Sequence, residues 1–247
     1  RLKSTYNVDE NQVSLTGISD GGTGAYFYAF KQPTQWASFL PYIGHPGVLR
    51  NPQSGGGYRL YFENLMNKPL YIVNGENDRL YPAASLSSFI DILKDVGVPH
   101  TWTVIAEGGH NTEWLPDYLD EVEKFKSSNR RDPFPSAIQW VADRTDRYNR
   151  NHWIQIDGID GDERPALLQV DRSSNLISVE ARGIEQFRLL LSPDFIDFAR
   201  PVQVVVNGES KFYDTVEQSA ESLLRLASRD LDRSMLITAE LSISLTD

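Results

Sequence analysis

The chain of 247 residues contains no cysteine. That excludes disulfides, thiolate metal sites and a cysteine nucleophile, and it leaves the compartment open. Long apolar runs are missing as well: no stretch reaches the roughly 18–20 residues that a transmembrane helix needs, so no membrane span is expected. Basic charge is scarce, with 24 Lys and Arg against 34 Asp and Glu and a net charge of −10. The basic residues are scattered, and Arg130-Arg131 is too short to act as a patch. A chain balanced this way repels a phosphate backbone, so nucleic acid is not an expected partner. Repeats and low-complexity segments are absent, and metal-ligand spacing is absent too. The run Asp157, Asp160, Asp162 and Glu163 with its two glycines breaks the calcium-loop pattern and reads as a polar hairpin turn.

What is present begins at residues 13–24, Val-Ser-Leu-Thr-Gly-Ile-Ser-Asp-Gly-Gly-Thr-Gly. Val13 to Thr16 alternate apolar and polar, as a short half-buried strand does. Gly17 and Gly21 bracket Ser19 in the pattern G-x-S-x-G, and an apolar helical stretch with Ala25, Tyr26, Ala29 and Phe30 follows. A strand, a sharp turn on serine and a helix lift a hydroxyl clear of a sheet and aim the Asp20 backbone N–H at a developing oxyanion. Alone the pattern is weak, because a glycine-rich turn also serves tight packing.

Further along, Trp36–Ile43, Pro69–Val73 and His100–Ala106 read as strands, separated by helices near 82–96 and 113–126. Strands alternating with helices at these lengths predict a parallel sheet. Asp78 follows one such strand and His110 the next. Loops after parallel strands share one edge of the sheet, so Ser19, Asp78 and His110 can converge there. The order Ser, Asp, His suits a nucleophile, an orienting acid and a base. Glu76 competes with Asp78 for the role of acid. His45 follows a strand end and is a candidate substrate-binding residue, as is Trp114 close after His110. His100 and His152 sit at strand starts and read as structural.

Beyond about residue 127 the pattern changes. Residues 128–136 read as a linker, and 137–247 carry short alternating runs at Ile138–Ala142, Trp153–Ile159, Ile177–Ala181, Phe187–Leu191, Val202–Val206 and Ile237–Leu245. Asn207-Gly208 is a hairpin signal, and one helix is expected near 216–227. An antiparallel sandwich-like domain follows from this pattern.

The pieces Asn7-Val8-Asp9-Glu10-Asn11, Gly17-Ile18-Ser19-Asp20-Gly21-Gly22, Asn74-Gly75-Glu76-Asn77-Asp78 with Tyr81-Pro82, and Gly108-Gly109-His110 resemble the α/β-hydrolase superfamily. More narrowly they are similar to its phospholipase/carboxylesterase and polyhydroxyalkanoate-depolymerase-like branches. The resemblance covers residues 1–127. It implies a Ser19-His110-Asp78 triad that cleaves small carboxylic esters through an acyl-enzyme without a cofactor. It also implies that the chain starts just before the fifth of eight strands. On that comparison residues 1–127 are the C-terminal half of a catalytic domain, with the loop giving a second oxyanion donor missing. The expectation is a fragment, a cleaved product or half of a swapped assembly, with an edge strand that pairs with a missing N-terminal segment or a second chain. Two other readings stay open: a serine peptidase of the prolyl-oligopeptidase type, and a binding or assembly module on a hydrolase scaffold.

Overall fold

The computed structural model of the protein describes residues 2–161 and 165–246. After a single helical turn, α1 (Leu2–Thr5), the chain alternates strand and helix. β1 (Ser14–Ile18) leads into α2 (Asp20–Lys31), and β2 (Ser38–Tyr42) into a short α3 (Gly47–Arg50). β3 (Leu70–Gly75) precedes α4 (Ser87–Asp95), and β4 (His100–Ile105) precedes α5 (Leu115–Ser128). The chain then divides into two units: Asn11–Asp132, and Arg1–Glu10 taken together with Pro133–Asp247.

In the first unit the four strands lie in chain order and every pair is parallel. Parallel neighbours require a crossover, and the helices supply it on both faces. β2 and β3 are buried along their whole length, which is why they read as continuous apolar runs rather than alternating ones. Phe39, Leu70 and Ile72 meet Tyr26 and Phe30 of α2 and Ile90 and Leu93 of α4 on one face. Leu40, Tyr42, Tyr71 and Val73 meet Trp114 and Val122 on the other. Pro41 has no N–H to donate, and the β2–β3 pairing is accordingly sparse, at Phe39–Leu70 and Tyr42–Val73. β1 ends the sheet and pairs, among the described residues, with β2 alone; its Ile18 is 49% exposed. Where the unit begins and ends, the chain is clasped. The Arg131 N–H donates to Asn11 O at 2.9 Å. Its guanidinium reaches Asn11 Oδ1 twice and Thr34 O once.

The second unit holds β5 (Ala137–Ala142), β6 (Arg150–Asn151), β7 (Ile154–Ile159), β8 (Ala166–Ser173), β9 (Leu176–Arg182), β10 (Ile184–Leu191), β11 (Val202–Val206), β12 (Glu209–Asp214), α6 (Ala220–Asp230) and β13 (Ala239–Ser244). They form two sheets, β13-β10-β7-β6 and β12-β11-β9-β8-β5. Both contribute to one core, with Trp140, Leu168 and Val204 from one sheet and Ile156, Phe187 and Leu189 from the other. Among the described residues the pairs are antiparallel except that β11 lies parallel to β9. The chain leaves β9 for the other sheet as β10 and returns to run alongside β9. Period-two alternation marks which face is buried and carries no information on direction. β8 carries no clear strand signal in the sequence, because Ala166-Leu167-Leu168 blurs the alternation at its start. α6 begins at Ala220 instead of 216, since Ser219 caps it by accepting the Ser222 N–H. Asn207 and Gly208 turn with φ of 50° and 86°, as a tight hairpin requires. The carboxylate of Asp157 takes Arg188 at 3.0 Å; Asp162 and Glu163 lie outside the described residues. Arg233 holds the unit's N-terminal segment, donating to Glu10 Oε1, Asn7 Oδ1 and Val8 O.

Candidate active site

β1 stops at Ile18, and Ser19 turns the chain into α2 with φ 59° and ψ −118°. A non-glycine residue in that region costs on the order of 1–3 kcal/mol and persists only where its surroundings enforce it. Here the Ser19 N–H donates to Tyr42 O at 3.0 Å, and Ser19 O accepts the Thr23 N–H at 2.9 Å. A Cβ on Gly17 would stand 2.0 Å from the carbonyl oxygen of Gly21, so the strand and the helix start approach this closely only through glycine. The turn leaves the Asp20 N–H, first in α2, donating to no acceptor among the described residues.

The loops after β3 and β4 are stitched together. The Asn77 N–H donates to Gly108 O at 2.9 Å, and the Glu107 N–H donates to Glu76 Oε2 at 3.1 Å. A Cβ on Gly75 would meet Gly108 O at 2.3 Å. Glu76, the competing acid, is thereby occupied in holding the two loops. Asp78 is 2% exposed. Its Oδ1 accepts the N–H groups of Leu80 and Tyr81, at 2.8 and 3.0 Å. Its Oδ2 lies 2.8 Å from His110 Nδ1, and His110 Nε2 lies 2.8 Å from Ser19 Oγ. Burial pushes the Asp78 carboxyl upward. The backbone donors and His110 outweigh that and hold it below the usual carboxylate range. An ionised carboxylate only accepts, which fixes the Nδ1–H of His110 as the donor and leaves Nε2 to accept the serine hydroxyl.

Asn74 and Tyr81 support this arrangement, and nothing in the local sequence assigns either a role. Asn74, fully buried on β3, donates from Nδ2 to Tyr81 O at 3.0 Å and to Gly44 O at 3.3 Å, fixing the loops after β2 and β3 together. The Tyr81 ring meets His110 edge-on, with centroids 5.9 Å apart. The Tyr81 ring also neighbours His45, with centroids 5.8 Å apart. His45 Nδ1 accepts the Gly47 N–H, so Nε2 donates to Ser85 O at 3.3 Å. His45 forms one wall of a cavity of about 660 Å³ between α3, α4 and the loop that joins α3 to β3. Trp114 is elsewhere. It is 6% exposed in the core on the α5 face, its ring against Tyr42 and its Nε1–H donating to Asn111 O. Proximity to His110 along the chain did not bring it to the same surface, because the chain enters α5 at that residue and turns the indole toward the sheet.

Four parallel strands in chain order, helices on both faces and a serine on the strand-to-helix turn make this unit α/β-hydrolase-like in fold. No protein-family model matches the chain, and no curated protein matches it. Among solved structures, a thermostable esterase is similar at 22% identity and a TM-score of 0.43, over 53% of this chain and 34% of that one. S-formylglutathione hydrolase from Staphylococcus aureus is similar at 18% identity and a TM-score of 0.41, over 51% and 55%. Acylaminoacyl peptidase from Pyrococcus horikoshii is similar at 19% identity and a TM-score of 0.43, over 53% and 26%. The chain spans from about a quarter to just over half the length of these structures.

Proposed function

We propose that this protein is a serine hydrolase that cleaves carboxylic esters at Ser19. The reading is carried by one observation, the unbroken hydrogen-bond chain from Ser19 Oγ through His110 to Asp78, with both links at 2.8 Å. Ser19 Oγ attacks the ester carbonyl carbon while His110 Nε2 takes its proton. The resulting oxyanion faces the Asp20 N–H at the start of α2. His110 then protonates the departing alcohol and the acyl group stays on Ser19. Water, deprotonated by the same nitrogen, releases the acid and restores the serine. Throughout, Asp78 orients the imidazole and stabilises its charged form.

The test is a Ser19→Ala variant assayed with p-nitrophenyl acetate beside the parent, together with fluorophosphonate labelling mapped by peptide mass. The rate should fall on the order of 10⁴-fold or more, and the label should sit on Ser19 and vanish in the variant. A parent-like rate in the variant sinks the proposal. Faster turnover of an aminoacyl anilide than of the ester would move the reaction class to peptide hydrolysis while keeping the same site.

A further inference from the structure

The cavity walled by His45 is set apart by charge. In a chain with ten more carboxylates than basic side chains, no Asp or Glu among the described residues lines it, while Arg50 and Arg59 do. Both arginines are exposed, and neither has an ion-pair or hydrogen-bond partner among the described residues. The remaining lining is largely aromatic and aliphatic, with Tyr58, Tyr61 and Phe89 prominent. Buried Lys31 stands behind those rings, its ammonium 5.0 Å from the Tyr61 centroid and 6.0 Å from that of Tyr58. An apolar trough with guanidinium groups at its rim and no balancing carboxylate suits a molecule with an apolar stem and a negatively charged end.

The cavity is tied to the triad on a particular side. Its His45 wall packs on Tyr81, and Tyr81 packs on His110. The His45 N–H also donates to Thr23 Oγ1, one turn beyond Ser19. In ester cleavage the group that takes its proton from the histidine is the departing alcohol, and the rings of Tyr81 and His45 lead from that histidine to the cavity, which assigns the cavity to the alcohol side. We infer that the ester cleaved here carries a negatively charged oxygen group, carboxylate or phosphate, on its alcohol part, and that Arg50 and Arg59 receive it. This rests on the hydrolase reading above.

The experiment compares, on the full chain, acetate release from acetoxyhexanoate and from acetoxyhexyl phosphate with that from neutral hexyl acetate. The ratio of kcat/KM, charged over neutral, should exceed one by about tenfold for each arginine engaged. It should decline as salt rises, because exposed guanidinium groups are screened. The double variant Arg50→Gln/Arg59→Gln should lose most of that ratio, whereas Lys124→Gln, on the opposite helix α5, should keep it. Whichever charged ester gives the larger ratio identifies the source of the charge. A ratio near one in the parent, or an unchanged ratio in the double variant, overturns the inference even though Ser19 labels normally. If no ester is cleaved, the hydrolase reading has failed, and calorimetric titration of Ser19→Ala with acetoxyhexanoate decides the cavity separately. Binding weakened at least tenfold by the double variant supports it, and equal or undetectable binding in both overturns it.

Discussion

Lys68 is buried just before β3, where burial first, and then the positive charge of Arg131, push its amine down to about 7; Asp132 acts the other way. An ordinary lysine amine titrates near 10.4. Between about pH 7 and about pH 10 the unfolded chain therefore binds more protons than the folded one, and stability rises with pH. Below that window both states hold the charge, and the cost of burying it is felt in full. Above it the slope reverses, because burial raises Tyr26 and Tyr42 and they keep protons that unfolded tyrosines release. Urea midpoints of the parent should climb across the window, and those of Lys68→Met should stay nearer level. An equal climb in both would remove Lys68 from the account. Asp78 acts at the acid end. Its lowered carboxyl contributes stability above the ordinary carboxylate range, and that contribution is lost as pH falls through the folded value.

The serine turn between β1 and α2 is a matter of whole elements meeting. Gly17→Ala places a methyl group against the Gly21 carbonyl, backbone against backbone, so neither side can yield cheaply. A loss of about 1–3 kcal/mol is expected in chemical denaturation. Gly24, in the same helix, is the contrasting case, since a Cβ there meets nothing within 4 Å. Gly24→Ala should gain about 0.5–1 kcal/mol by restraining the unfolded chain in a helix interior. A destabilised Gly24→Ala would show that α2 is held by something other than its packing on the sheet. This turn was legible in the sequence because glycine, serine and apolar spacing encode it locally, and the strand-loop positions of Asp78 and His110 were legible for the same reason. The supports were not. Asn74 stands in the matched Asn74–Asp78 segment, but nothing local shows that its amide reaches Gly44 O and Tyr81 O, and Arg50 and Arg59 stand in a Gly- and Pro-rich stretch without periodicity. Only the packing of α3 and α4 on one face brings that stretch beside His45. The parallel β9–β11 pair was hidden likewise, since alternation is blind to strand direction.

At the scale of the whole molecule, the chain enters and leaves the α/β unit from the β-rich one, since residues 1–10 group with 133–247. Arg233 ties that first segment through three acceptors, and the Glu10 carboxylate it holds is nearly buried. Burial raises the Glu10 carboxyl, and the Arg233 hydrogen bond and charge bring it below its ordinary value. Arg233→Ala should lower the unfolding midpoint of the β-rich unit and make residues 7–10 a site of early proteolysis. Arg233→Lys should recover only part, since an ammonium cannot present forked donors to Glu10, Asn7 and Val8 together. An unchanged midpoint and cleavage pattern in Arg233→Ala would refute the tie.

The clasp between Asn11 and Arg131 has a mechanical consequence. Hydrogen bonds from the Arg131 N–H and guanidinium to Asn11 close residues 11–131 into a loop whose two ends lie side by side. Tension applied along the chain passes across that clasp without running through the parallel sheet. Ser19, Asp78 and His110 all sit inside the loop, off the line of force. A pull that strips the flanking segments leaves their register intact until the clasp itself breaks.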